Sequence, residues 1–227
     1  LGDNLGQQIL DGFVRILDIG LFHQTDFGIE FFQTSLNDFI QNIFRYEKIP
    51  LKLLDKLATY MIIATVVGAR LGHCFFYEPE YYLSNPWEIL YVWKGGLASH
   101  GAAIAILIAL LIFSRKYNLS LIWIFDRIAI VVALAGAFIR TGNLMNSEIF
   151  GKPTELPWAL IFLRSDEIPR HPTQIYEALS YLLIFVFLLA VYYYKKGRPK
   201  PGFLFGMFMI LVFSARFLIE FLKEPQV

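Results

Sequence analysis

Two short segments share one pattern. Arg70-Leu71-Gly72-His73 is followed by Glu78, and Arg140-Thr141-Gly142-Asn143 is followed by Glu148, eight residues after the arginine in both. A guanidinium is a planar fork whose parallel N–H donors grip a phosphate two at a time. The polar run Arg140, Asn143, Asn146 and Glu148 therefore suggests a cradle for a phosphate headgroup. The bland alternative is a helix-capping turn in which Gly142 ends the helix and the asparagines bond backbone groups. His100 lies in Gly95-Gly96-Leu97-Ala98-Ser99-His100-Gly101. Imidazole exchanges a proton near neutral pH, which suits a general base, and neighbouring glycines let a substrate come close. A histidine bonded to a loop carbonyl at a helix start is the competing reading. Arg216 and Glu220 are spaced i, i+4, either as a local ion pair or with the arginine held ready for a phosphate. His171-Pro172-Thr173-Gln174-Ile175-Tyr176-Glu177 adds polar groups at a helix start, with Pro172 near the first turn. No Cys/His cluster has metal-ligand spacing, so no metal and no cofactor is expected. The single Cys74 excludes a disulfide scaffold and reads as a small apolar filler.

The elements that carry these residues are apolar. Of 227 residues 56% are hydrophobic and 17% charged, with 22 Phe and 12 Tyr, and mean hydropathy is +0.52. That composition excludes disorder, and a net charge of +1 without a basic stripe excludes nucleic-acid binding. A spanning helix needs about 20 mainly apolar residues. Five segments qualify: Leu57–Phe76, Leu97–Phe113, Leu121–Ile139, Ile175–Tyr194 and Phe203–Leu222. The expected fold is an all-α polytopic membrane helix bundle of about five spans with an atypical N-terminal region. Tyr91, Trp93, Trp158 and Tyr192–Tyr194 read as an interfacial aromatic belt.

Lys and Arg set the expected orientation. Arg45, Lys48, Lys52 and Lys56, then Arg115 and Lys116, then Lys195, Lys196, Arg198 and Lys200 alternate with loops rich in Glu and Asp. The basic loops are expected in the cytoplasm and the acidic loops outside. Arg70, His73, His100, Arg140, Asn143, Glu177, Arg216 and Glu220 then all fall at the outer end, whereas Ala102–Phe113, Leu182–Val191 and Phe203–Val212 carry no charge. Intramembrane ionisable groups are costly and usually functional, so the pattern points to a site at the outer headgroup level. Asp126 and Arg127, toward the other side, read as structural. Residues 1–50 form a separate region: six acidic residues interrupt Leu1–Arg45, and Ile9–Ile19 and Phe31–Phe44 have amphipathic spacing suited to a membrane surface or to packing on the bundle. Residues 51–227 form the transmembrane core.

Four motifs in order resemble the prolipoprotein diacylglyceryl transferase family of bacteria: Ser99-His100-Gly101, Gly136–Gly151 (GAFIRTGNLMNSEIFG), Arg170–Ala178 (RHPTQIYEA) and Arg216–Pro225 (RFLIEFLKEP). The resemblance extends from about Pro50 to Val227. It implies transfer of the diacylglyceryl group of phosphatidylglycerol to the lipobox cysteine thiol of exported preprolipoproteins, with release of glycerol 1-phosphate, in the bacterial plasma membrane. It implies His100, Arg140 and Arg216 as catalytic residues, and Arg140, Asn143, Glu148 and Glu220 at the phosphatidylglycerol site. Asn146 and Arg70 join that substrate-binding set through the polar run and the repeated pattern. Three features depart from the family. Leu1–Arg45 is more polar than its first span, Val212 stands where many members carry Tyr, and the chain stops after the Glu-Pro motif, where a further span is expected, so truncation is expected too. Other classes fit less well. A transporter needs charge through both halves of the bundle, a phosphatidyltransferase usually needs acidic metal clusters, and a lipid-binding relative without catalysis would not need His100, Arg140, Arg216 and Glu220 together.

Overall fold

The computed structural model describes residues 26–225. Four helices are long and apolar enough to cross a membrane: Ser99–Tyr117, Leu121–Met145, Thr173–Tyr194 and Phe203–Glu220. With almost no sheet beside them, they make the chain an all-α polytopic membrane protein. The remaining expected span forms a 26-residue helix, Leu51–Phe76, which opens on Lys52, Asp55 and Lys56 and is not one of those four. The described chain forms two units, residues 49–124 and residues 26–48 with 125–225. The expected amphipathic stretch Ile9–Ile19 lies outside the described residues.

The first unit contains α2 (Leu51–Phe76), the short α3 (Pro79–Ser84), two 3-10 turns (Pro86–Leu90 and Val92–Lys94) and α4 (Ser99–Tyr117). Here α1 denotes the helix Asp26–Tyr46 of the second unit. Small residues let α2 and α4 touch backbone to backbone, the usual solution where lipid removes any hydrophobic drive between helices. Gly68 and Gly72, four apart on α2, face Gly101, and a Cβ on Gly72 would stand 2.7 Å from the Gly101 Cα. The Ala98 amide donates to the Ala69 carbonyl at 2.9 Å, which pins the start of α4 against α2. At its other end α4 closes on Asn118 in the left-handed region (φ 52°), with the Leu119 amide donating back to Ser114.

The second unit holds α1, α5 (Leu121–Met145, from Phe125 onward), a two-stranded hairpin of β1 (Leu160–Ile161) and β2 (Pro169–Arg170), α6 (Thr173–Tyr194) and α7 (Phe203–Glu220). Its core joins Ile130, Ala133 and Ala137 of α5 to Tyr181, Ile184 and Leu188 of α6, with Ile43 and Leu204 from α1 and α7. The amphipathic α1 packs on this bundle, Phe39 edge-on to Phe185 with ring centres 5.1 Å apart. Asp126 has the structural role expected of it. Its two oxygens accept from the Gly202 and Phe205 amides at 2.8 and 2.9 Å, capping the otherwise bare start of α7. Arg127 pairs with Glu47 at 2.9 Å, and the Tyr192 hydroxyl donates to the same carboxylate at 2.7 Å. Tyr192 is thus fully buried and leaves the expected aromatic belt, in which Trp93, Trp158 and Tyr194 stay exposed. Antiparallel β1 and β2 pair Leu160 with Arg170. Gly151 bridges to Lys223, so the segment after α7 lies alongside the loop that follows α5.

Candidate phosphate-binding pocket

Helix α5 runs through Gly142 to Met145, so Gly142 does not end it. Arg140 therefore stays helical while Asn143 lies on its face three residues on. The Arg140 Nη1 donates to Asn143 Oδ1 at 3.0 Å, and Asn143 Nδ2 donates to Glu148 Oε2 at 3.2 Å. The chain then turns sharply, with Ser147 and Ile149 at φ 59° and 58°. Such left-handed backbone is strained for these residues and must be held in place. The first turns of α6 hold it: Gln174 Nε2 donates to the Glu148 carbonyl at 2.6 Å and Thr173 Oγ1 to the Ile149 carbonyl at 2.9 Å.

Glu177 completes the α6 face. It is fully buried, and its oxygens are split between two cations: Oε2 lies 2.7 Å from Arg140 Nε, and Oε1 lies 2.9 Å from Lys223 Nζ. Lys223 also reaches Glu220 at 3.3 Å. These contacts overturn the local Arg216–Glu220 ion pair weighed from spacing alone. Arg216 has no ion-pair partner among the described residues and is exposed.

Arg140, Lys152, Arg216 and Lys223 line one pocket of about 570 Å³ with Ile149, Glu220, Glu224 and Pro225. Lys152 is fixed by donating to the Phe221 carbonyl at 2.9 Å. Arg140 has the Glu177 carboxylate beside Nε and donates to Asn143 from Nη1, and its Nη2 has no partner among the described residues. Four cations converging on one polar cavity can hold a phosphate through charge-assisted hydrogen bonds. Of the expected site residues, Arg140, Arg216 and Glu220 line this pocket. Asn143 and Glu148 stand behind Arg140, and Asn146 lies half-buried in the turn beyond α5. Lys152, Lys223 and Glu177 complete the arrangement and were not among the expected site residues. Glu177 had a signal in the sequence, since Thr173, Gln174 and Glu177 put three polar groups on one face of an otherwise apolar helix.

Outside the pocket, Arg170 clamps the loop. It grips Asp166 at 2.7 Å and Glu224 at 3.3 Å and stacks over Phe150. The guanidinium bond holds the Asp166 carboxyl below the usual carboxylate range.

Arg70 and His100 belong to the first unit. Arg70 is 3% exposed and donates to four backbone carbonyls: Glu88 at 2.6 Å, Gly95 at 2.7 Å, Ile89 at 3.0 Å and Gly96 at 3.4 Å. Gly96 has φ 69° and lies so close to His73 and the Arg70 guanidinium that a side chain there would collide. His100 is the second residue of α4, exposed, with its ring centre 5.1 Å from Phe76 and 5.7 Å from Tyr77. Among the described residues no group of three or more His, Cys, Asp or Glu side chains could hold a metal ion.

A family model described as prolipoprotein diacylglyceryl transferase matches residues 27–227. The chain is 53% identical over 188 residues to the phosphatidylglycerol–prolipoprotein diacylglyceryl transferase of Tolumonas auensis, covering 82% of this chain and 72% of that protein. It is 51% identical to the protein of the same name from Chloroherpeton thalassium, covering 81% and 69%. The like-named protein of Porphyromonas gingivalis is 45% identical, covering 82% and 70%. Carrying the pocket's arginines within so long a match, the chain belongs to the prolipoprotein diacylglyceryl transferase family.

Proposed function

We propose that this chain transfers the diacylglyceryl group of phosphatidylglycerol to the lipobox cysteine thiol of exported preprolipoproteins, the first step of bacterial lipoprotein maturation. The cationic pocket of Arg140, Lys152, Arg216 and Lys223 is the observation that carries the reading. In the reaction the cysteine sulfur bonds to the glyceryl carbon that carries the phosphate ester. The carbon–oxygen bond to phosphate breaks, glycerol 1-phosphate leaves with the bonding electrons, and the thiol proton passes to a base.

The residues divide these tasks. Arg140 and Arg216 bind the phosphate and stabilise the charge that grows on it as the bond breaks, an effect that counts for most in a water-poor site. Glu220 and Asn143 hold cations in place. His100 accepts the thiol proton, because a thiolate is the effective nucleophile. Arg70, with its donors bound to the protein's own carbonyls, braces the turn ahead of α4 rather than holding lipid. The basic loops favour a cytoplasmic position for Lys48–Lys56, Arg115–Lys116 and Lys195–Lys200. Residues 57–76 of α2 then cross the bacterial plasma membrane as a further span, and the pocket opens at the outer leaflet.

The test is transfer of radiolabelled glyceryl from phosphatidylglycerol to a lipobox peptide in liposomes, with a Cys→Ser peptide as control. Thiol-dependent labelling that disappears in Arg140→Ala is the expected result. No labelling beside an active relative, or full labelling in both Arg140→Ala and His100→Ala, overturns the reading.

A further inference from the structure

We infer that Glu177 is the positioning residue of the phosphate pocket, its one buried carboxylate aiming both Arg140 and Lys223 at the same headgroup phosphate. The inference rests on the function proposed above. An isolated buried carboxylate is expensive, so Glu177 must be compensated. The way it is compensated is informative. Glu177 sets one oxygen 2.7 Å from the Arg140 Nε and the other 2.9 Å from the Lys223 Nζ, both as ion-pair contacts without a directed hydrogen bond. The two cations come from different elements, α5 and the segment after α7, and both line the same cavity. The carboxylate stands beside Nε, Asn143 takes Nη1, and Nη2 has no partner among the described residues. Lys223 keeps a donor after bonding Glu177 and Glu220. Thr173 and Gln174, on the same α6 face, lock the backbone of residues 148–149 beside it. A misplacement of about 1 Å in such a group can cost on the order of a hundredfold in rate.

The experiment uses the full chain in mixed micelles. Transfer is measured as KM for phosphatidylglycerol, KM for the lipobox peptide and kcat, for the unaltered chain, Glu177→Gln and Glu177→Asp. Binding of phosphatidylglycerol against phosphatidylcholine vesicles is measured without peptide. In Glu177→Gln the KM for phosphatidylglycerol is expected to rise about tenfold and vesicle selectivity to fall, while the peptide KM holds. Glu177→Asp, which keeps the charge but loses reach, should fall between. A merely structural role would lower the active fraction, and hence apparent kcat, with both KM values unchanged. That result, or an unchanged KM for phosphatidylglycerol, overturns the inference while an active unaltered chain leaves the proposed function standing. If the unaltered chain neither selects phosphatidylglycerol nor transfers label, the proposed function and this inference both fall. Should Glu177→Gln not fold, Glu177→Asp carries the test alone: a raised KM for phosphatidylglycerol with an unchanged peptide KM supports the inference, and an unchanged KM for phosphatidylglycerol overturns it.

Discussion

Arg70 and Arg140 occupy the same place in the same short pattern, near the end of a long apolar helix and two residues before a glycine. Their surroundings differ in kind. Arg70 donates to four neutral carbonyls of its own chain and is closed off from solvent. Arg140 has a carboxylate beside Nε and an asparagine at Nη1, and it lines a polar cavity. Carbonyl acceptors surround the Arg70 guanidinium and consume its donors, so its charge organises backbone. A counter-ion on one side of Arg140 fixes its direction and leaves the other side for a ligand. On the function proposed above, Arg140 binds the phosphate because its partners leave Nη2 to a ligand.

Substitution at the two positions should separate these roles. Arg140→Ala removes the anchor of the cavity. Transfer is expected to fall at least about a hundredfold, in line with losing one preorganised donor. The melting temperature should fall too, because Glu177 then keeps only Lys223 and a broken buried pair costs about 3–5 kcal/mol, so the rates are taken per folded protein. Glyceryl-transfer rates beside a thermal melt would check this, and a loss no larger than that of an exposed Lys→Ala control would break the comparison.

Arg70→Gln should spare the lipid site instead. Four carbonyls of half-buried or exposed residues lose their donor, and each hydrogen bond contributes about 1 kcal/mol. Stability is expected to drop by about 3 kcal/mol or more, while the folded fraction keeps its KM for phosphatidylglycerol. A raised KM with unchanged stability would move Arg70 to the lipid site.

Gly72→Ala sharpens the same contrast on the backbone side. Its Cβ would stand 2.7 Å from the Gly101 Cα, and Gly101 adjoins His100. Overpacking of this kind costs about 2 kcal/mol. The variant should melt earlier and, through a displaced α4 start, lose kcat more than lipid affinity.

How much of this was legible differs from region to region. The membrane bundle was, because spans of about 20 apolar residues leave a periodic, local trace. Arg140, Arg216 and Glu220 were, because polar groups stand out at the end of an apolar helix. The partners were not. Glu177 reaches Arg140 and Lys223 across elements far apart in sequence, and nothing local to Lys223 distinguishes it from a solvated lysine. Asp126 caps α7 although 76 residues separate it from Gly202. Gly142 looked like a helix end because glycine often is one, yet α5 continues to Met145 since Thr173 and Gln174 stabilise the turn beyond it. Spacing also suggested that Arg216 and Glu220 pair. A closer cation, Lys223, takes the glutamate and leaves Arg216 open.

A third arginine provides the control. Arg170 is committed to carboxylates, like Arg140, but it closes a loop and does not line the cationic pocket. Its guanidinium holds the Asp166 carboxyl below the usual range. A carboxyl whose folded value is depressed contributes stability above the unfolded value, near pH 3.9, and loses it as pH falls through the lower folded value. Between pH 5 and 9 the pair should therefore be constant, and Asp166→Asn should weaken the loop by the same small amount across that window. Below about pH 4 the unaltered chain should lose the same protection and converge with the variant. Hydrogen exchange over residues 150–171 would follow this directly. An effect of Asp166→Asn on the KM for phosphatidylglycerol exceeding that on loop protection would mean that the loop arginine, too, acts on the pocket, and that commitment to carboxylates does not by itself separate a clamp from a binding group.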